Sequence, residues 1–231
     1  MAFHNYRAGL SGTLEGFEDR YMFGRNPSEP IIANYRNLGP QEMDYVGGFT
    51  TFSGGYRLNW GGPHLNDLCG AELKSAAQKP GPWGLYMYMQ GETVPKERNQ
   101  VRLSTNLKDP FGIPQLVVSV DYDDNDDRMV KDFLEQGMEM LTRAGCKDIN
   151  SSDNHQPPGL DIHEMGGCRM GKDPKQSILN EWNQLHSCPN VFVTDGACMT
   201  STGNQSPSIL YMALTARAAD HAVRLSRRGE R

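Results

Sequence analysis

The side chains best equipped for chemistry sit in a Gly- and Pro-rich stretch, SSDNHQPPGLDIHEMGGCRMG, that ends at residue 171. It carries Asp153, His155, Asp161, His163, Glu164, Cys168 and Arg169. Gly166, Gly167 and Gly171 allow positive φ or a close approach of backbone to a ligand. His155, Asp161 and His163 are metal-ligating types, so a zinc hydrolase built on this loop is one reading. A single imidazole aimed into a cleft and moving a proton near neutral pH is another. An ordinary surface histidine, or one satisfied by local hydrogen bonds, would also explain either residue. The loop by itself leaves these readings open.

A second stretch gives a different signal. The run NVFVT at 190–194 reads as a strand and ends in Asp195-Gly196. That puts a carboxylate and an open backbone at a strand's carboxyl end, where ligands approach sheets. Ten residues later a helix opens, with free N–H groups and the positive end of its dipole facing outward. Such an end suits an anion or an electron-rich heterocycle. A plain turn and a capped helix account for Ser206-Pro207 but give no reason for Asp-Gly ahead of them.

The elements that must position these groups are partly legible. Val130, Phe133, Leu134, Met138 and Leu141 recur at helical spacing and predict a helix over about 125–144, capped by Asp124 or Asn125 and stopped by Gly145. Residues 83–89, 101–104 and 116–121 read as strands with turn-like connections, which suggests one antiparallel sheet. Residues 1–66 read as loops and short strands. The last helix is expected at about 207–226, with Ser206 at its N-cap, Pro207 at its first position, and Ile209, Ala213, Ala216, Ala219 and Val223 as its apolar stripe. The fold class is α+β.

Composition narrows the function classes. At 231 residues the chain predicts one to two domains, and 37% hydrophobic residues is enough for a core. Scattered basic residues and a net charge of -5 make nucleic acid an improbable partner. Mean hydropathy is -0.61, and no window approaches 18 consecutive apolar residues, which excludes a membrane-spanning helix. The five cysteines contain no CxxC pair, against both a zinc finger and a dense disulfide framework. The N-terminus MAFHNYRAGL lacks the pattern of a secretory signal, so the expected location is cytoplasmic by default, or periplasmic if a partner carries the chain out.

The motifs together resemble the C-terminal signature of the glucose-methanol-choline (GMC) flavin oxidoreductases, in particular their bacterial gluconate and sugar dehydrogenases. The residues that carry the resemblance begin with His163-Glu-Met-Gly166-Gly-Cys-Arg169-Met170-Gly171, Asp173-Pro174 and Ser177-Ile178-Leu179-Asn180. They continue with Asn190 to Ala197 and with Pro207-Ser208 leading into Ala213-Leu214-Thr215-Ala216-Arg217. Upstream, Gly91-Glu92, Pro95, Asn99, VRLS and DPFGIP are similar to the family's substrate domain.

The resemblance implies FAD as cofactor and an alcohol or sugar as substrate, with hydride passing to the flavin. It implies His163 as the base and Ser206 as its hydroxyl-side partner. Asp195, Gly196, Ala197, Pro207 and Ser208 would meet the cofactor. By side-chain type Gln90 could line a substrate pocket, and Asn204 could serve on the substrate side in place of Ser206 if the loop shifts by two residues. Tyr86, Tyr88 and Trp60 could add aromatic walls to a carbohydrate pocket, or the two tyrosines could simply cover one face of a strand. Two departures stand out. The family's GxGxxG fingerprint is missing, so the chain is expected to be a C-terminal portion that needs an N-terminal FAD-binding half or subunit. Relatives also carry His or Asn where this chain has Ser206, with Asn204 two residues earlier. The expected division is 1–187 for the substrate-binding portion with its catalytic loop and 188–231 for a strand-helix contribution to a missing Rossmann-like FAD domain. That division predicts an exposed strand edge and apolar helix stripe in 188–226. A non-catalytic remnant is the alternative, favoured by the missing fingerprint and by Ser206.

Overall fold

The computed structural model describes residues 1–20, 29–57, 65–79, 81–160 and 163–229. Along the chain come β1 (His4–Asn5), β2 (Ala8–Leu14), β3 (Ile31–Ile32), β4 (Phe49–Arg57), α1 (Gly70–Ala77) and β5 (Trp83–Glu92). They are followed by β6 (Gln100–Lys108), β7 (Pro114–Ser119), α2 (Asp124–Arg143) and β8 (Lys147–Asp153). The last elements are β9 (Gln184–Leu185), β10 (Cys188–Phe192), a 3-10 turn at Gly196–Cys198 and α3 (Ser208–Arg227). Among the described residues no helix is long and apolar enough to cross a membrane.

Antiparallel pairing organises the six-stranded sheet in the order β3-β4-β5-β2-β8, with β1 also on β5. The strand β5 shows why the two faces differ. Met87 and Met89 are buried in the core, while Tyr86, Tyr88 and Gln90 alternate onto the opposite face. Between the pairs Asn5↔Gly91 and Gly9↔Tyr88, three residues of the N-terminal strand oppose two of β5. This bulge breaks β1 from β2 at Tyr6 and Arg7, and bulges re-aim side chains.

Helix α2 covers the core face. Asp123 caps it, with Asp126 completing a reciprocal capping box, and Lys96 Nζ lies 2.7 Å from the buried Asp126 carboxylate. Met129, Val130, Phe133 and Leu141 point inward among Leu10, Phe49, Met87 and Met89. Gly137 is required by the packing: a Cβ there would stand 2.5 Å from Leu10 Cδ1. The expected helix and its stripe are therefore present.

Three expectations need correction. The predicted strands 83–89, 101–104 and 116–121 do not share a sheet. β6 and β7 form a separate hairpin, and only β5 belongs to the central sheet. The hairpin's turn is self-sufficient, since Asp109 Oδ1 accepts from both Phe111 N and Ile113 N. Residues 1–66 supply β2 and β4, full members of the central sheet, because Gly- and Thr-rich strands pass for loops when read by pattern. The N-cap of α3 is Pro207 rather than Ser206, and it makes no side-chain cap bond.

A second, smaller core joins the loop after β8 to the C-terminal segment. Met165, Leu179, Cys198 and Met199 are its buried centre, with Tyr211 and Leu214 of α3 packed against it. The predicted α3 stripe faces away from this core. Of that stripe Ile209 is 80% exposed and Val223 49%, and Met212 beside it is 71% exposed, while the helix is held from its Tyr211, Leu214 and Ala218 side. Among the described residues β10 pairs only with β9. The apolar face and open edge expected for 188–226 are both present.

Candidate active site

Two short backbone ladders assemble the site. Ala2 and Met165 exchange hydrogen bonds, Ala2 N to Met165 O at 2.9 Å and Met165 N to Ala2 O at 3.0 Å. This bridge docks the motif loop on the N-terminal strand. Farther along, the loop lies beside the 3-10 turn, with Cys168 N donating to Ala197 O and Met170 N to Cys198 O, both at 2.9 Å. Asp195 Oδ1 caps that turn by accepting from Ala197 N at 2.9 Å. Gly196 is obligatory because a Cβ would meet Glu164 O at 2.6 Å and the Tyr211 hydroxyl at 2.7 Å.

The result is an open cavity of about 380 Å³, lined among others by His163, Glu164, Asp195, Gly196, Ala197 and Tyr211. The expected base and the expected Asp195-Gly196-Ala197 cofactor segment, far apart in sequence, thus share one cavity. His163 itself has φ +77, in the left-handed region. Burial lowers its imidazole pKa, an effect that neighbouring Glu164 opposes.

Hydrogen bonds tie His163 to the sheet. Its Nδ1 lies 2.8 Å from Nδ1 of the buried His4, whose Nε2 lies 3.1 Å from Gly203 O. Tyr6 Oη is 3.5 Å from the same His163 nitrogen and donates to Gln90 Oε1. Gln90 Nε2 in turn donates to Asn204 O at 3.2 Å, and Thr50 Oγ1 donates to Asn204 Oδ1 at 3.3 Å. Gln90 and Asn204 are both buried and belong to one network with the base. Ser206 is exposed, and among the described residues no hydrogen bond joins it to His163.

The first turn of α3 suits an electron-rich group. It has no side-chain cap and no acidic residue, so the leading N–H groups from Ser208 onward keep their dipole end uncompensated. Beside the network, Tyr88 stacks on Phe52 at 5.2 Å and on Tyr86 at 6.3 Å, and Tyr6 lies 6.3 Å from Tyr88. The Tyr86 and Tyr88 hydroxyls donate to the Glu29 carboxylate at 2.8 and 2.7 Å. Tyr88 is raised above the usual phenol range by burial and then by Glu29, Tyr86 by Glu29 first. With Phe52 and Tyr6 the two tyrosines form a contiguous aromatic cluster beside His163.

Trp60 and Asp161 lie outside the described residues. His155 is exposed and turned toward Asp153, 3.4 Å away. Among the described residues no group of three His, Cys, Asp or Glu side chains is arranged to hold a metal. Reading by sequence missed His4, Tyr6 and Thr50. Their only signal was a histidine and a tyrosine in HNY, next to a bulge that no periodicity announces.

Comparison with known proteins places the chain in a family. The family model described as GMC oxidoreductase matches residues 95–215, and the chain belongs to that family. A 2-methyl-1,2-propanediol dehydrogenase of Mycolicibacterium austroafricanum is 35% identical over 61% of this chain and 25% of its own length. The fructose dehydrogenase large subunit of Gluconobacter japonicus is 28% identical over 66% of this chain and 28% of its own length. The gluconate 2-dehydrogenase flavoprotein of Pantoea cypripedii is 29% identical over 63% and 25%. The chain spans about a quarter of the length of these relatives. A solved pyridoxine 4-oxidase from Mesorbium loti aligns over 98% of this chain and 44% of its own, with TM-score 0.44 and 15% identity.

Proposed function

We propose that this chain forms the substrate side of an FAD-dependent dehydrogenase acting on the CH–OH group of a small alcohol or sugar, working with an N-terminal FAD-binding half or subunit. The observation that carries the proposal is the single cavity shared by His163 and Asp195-Gly196-Ala197. The residues present fit the cofactor: α3 opens uncapped and without acid in its first turn, a place where negative charge is stabilised. Pro207, Ser208 and the Asp195–Ala197 segment would hold the flavin. A bound flavin supplies the acceptor for the hydride that leaves the carbinol carbon.

The chain's own residues do the rest. His163 accepts the hydroxyl proton at the ring nitrogen that His4 leaves unbonded, and its lowered pKa keeps it neutral and competent at physiological pH. Gln90 and Asn204 hold the loop before α3 against the sheet. The aromatic surface of Tyr86 and Tyr88 offers flat faces to a ring of carbons, with the Glu29 carboxylate as an acceptor for hydroxyls. The names of the relatives, which include diol, fructose and gluconate dehydrogenases, support a polyhydroxylated substrate.

A second reading is a non-catalytic remnant. The exposure of Ser206, in the position relatives fill with His or Asn, favours it. The deciding experiment is a flavin absorbance spectrum of the chain, alone and after co-expression with the upstream reading frame. Flavin retained only in the co-expressed sample, with dye-linked sugar oxidation that His163→Ala lowers by 10²-fold or more, is the expected result. Colourless protein in both samples would leave the remnant. In active protein, kcat/KM should rise with pH and level off before the ordinary histidine range, because only neutral His163 accepts a proton.

A further inference from the structure

Two imidazoles whose Nδ1 atoms lie 2.8 Å apart share one proton, and the surroundings of His4 decide which ring owns it. A carbonyl oxygen only accepts, so the 3.1 Å contact with Gly203 O requires a proton on His4 Nε2. His4 is fully buried, and burial pushes its imidazole down to about 4, with the charge of His163 acting in the same direction. At neutral pH it therefore carries that single ring proton, and its Nδ1 is bare. The proton between the rings belongs to His163 Nδ1. Tyr6 agrees: its hydroxyl proton is committed to Gln90 Oε1, so its oxygen faces His163 Nδ1 as an acceptor.

We propose that His4 is a positioning residue that holds His163 in the Nδ1–H tautomer, so that the lone pair needed for proton abstraction is on Nε2. The role assigned to His163 above is assumed; the lock itself is a property of the two rings. A free neutral imidazole side chain prefers the opposite tautomer, with its proton on Nε2. In that form His163 would present a donor to the substrate hydroxyl where it needs an acceptor. With the lock in place, the O–H bond of the substrate breaks as the Nε2–H bond forms. His163 then holds both ring protons, while Nδ1–H stays bonded to neutral His4. No proton passes to His4, since its burial opposes a second one.

Long-range 1H–15N correlation spectra of the protein labelled with 15N-histidine test this directly, at a pH above the histidine range. Comparison with His163→Gln assigns the ring among the six histidines. The expected result is an Nδ1–H pattern for His163 and an Nε2–H pattern for His4. An Nε2–H pattern for His163, or averaging between the two forms, overturns the proposal. His4→Phe should shift His163 to Nε2–H or to averaging, and His4→Asn, whose Oδ1 stands near the lost Nδ1, should restore Nδ1–H. An unchanged Nδ1–H pattern in His4→Phe also overturns it. If His4→Phe does not fold, the wild-type and His4→Asn spectra still decide. The spectra need neither flavin nor turnover, so they separate a failed lock from a failed assignment of His163 as base. In active protein, His4→Phe should lower kcat by 10²-fold or more at nearly constant KM, with partial recovery in His4→Asn.

Discussion

The sheet-and-α2 region and the α3 region bury their apolar residues in opposite senses. Around α2 the stripe predicted from periodicity is the stripe that packs: Val130, Phe133 and Leu141 are each at most 4% exposed. On α3 the predicted stripe is the side left open, and the helix is anchored through Tyr211, Leu214 and Ala218. Helical spacing reports an apolar face and says nothing about which body will cover it. One region is a finished core. The other leaves an apolar face uncovered, and under the proposed function it would carry the cofactor-facing end of the site.

The sharpest way to break this contrast is to cut into each region. Phe133→Ala should cost about 3–5 kcal/mol in urea unfolding, the usual price of a large core cavity. A loss near zero would mean that the α2 core is not a finished one. Ile209→Asp with Met212→Asp should leave the urea midpoint of the chain nearly unchanged but weaken its self-association, or its association with the N-terminal half, by 100-fold or more, about 2.7 kcal/mol. Light scattering reads the effect, and a wild-type chain that is already a clean monomer would contradict it.

A smaller, pH-dependent effect sharpens the comparison at the junction of the two regions. His4 titrates at about 4 when folded and near 6.5 when unfolded, so the unfolded chain binds more protons between those values. Stability should therefore rise with pH across that window, by roughly 2–3 kcal/mol, and be lost again on acidification. Urea midpoints at pH 4.5 and 7 check it, and His4→Asn should flatten the difference. The smallest effect belongs to the 3-10 turn. Asp195→Ala removes the cap on Ala197 N and should cost about 1 kcal/mol, visible as a small drop in melting temperature.

How much was legible follows the same division. Helix α2 and its stripe could be read because periodicity and Gly145 point to one answer, although the cap is Asp123 rather than the expected Asp124 or Asn125. Strands β2 and β4 could not, since AGLSGTL and FTTFSGGYR are short of branched apolar residues and take their order from pairing with β5. β8, with the polar sequence KDINSSD, is an edge strand for the same reason. The meeting of His163 with Asp195-Gly196-Ala197 was legible as motif. The pairing of His163 with His4 was not, because it depends on the bulge at Tyr6 and Arg7 and on the Ala2–Met165 bridge, both products of tertiary register. In the sequence Ser206 stands directly before Pro207, with Asn204 two residues earlier. The structure buries Asn204 in the network and leaves Ser206 in solvent.

The left-handed backbone at His163 sets fold and chemistry against each other. A branched or bulky side chain at φ +77 costs about 1 kcal/mol or more relative to glycine, which occupies that region freely. Selection for folding alone would favour glycine at 163, as it does at Gly159 and Gly166 on the same loop. For the base proposed above, keeping an imidazole there trades stability for reactivity. A redesign aimed only at backbone strain would choose glycine at this position, and under the proposed function it would remove the base and leave the buried His4 Nδ1 without its partner.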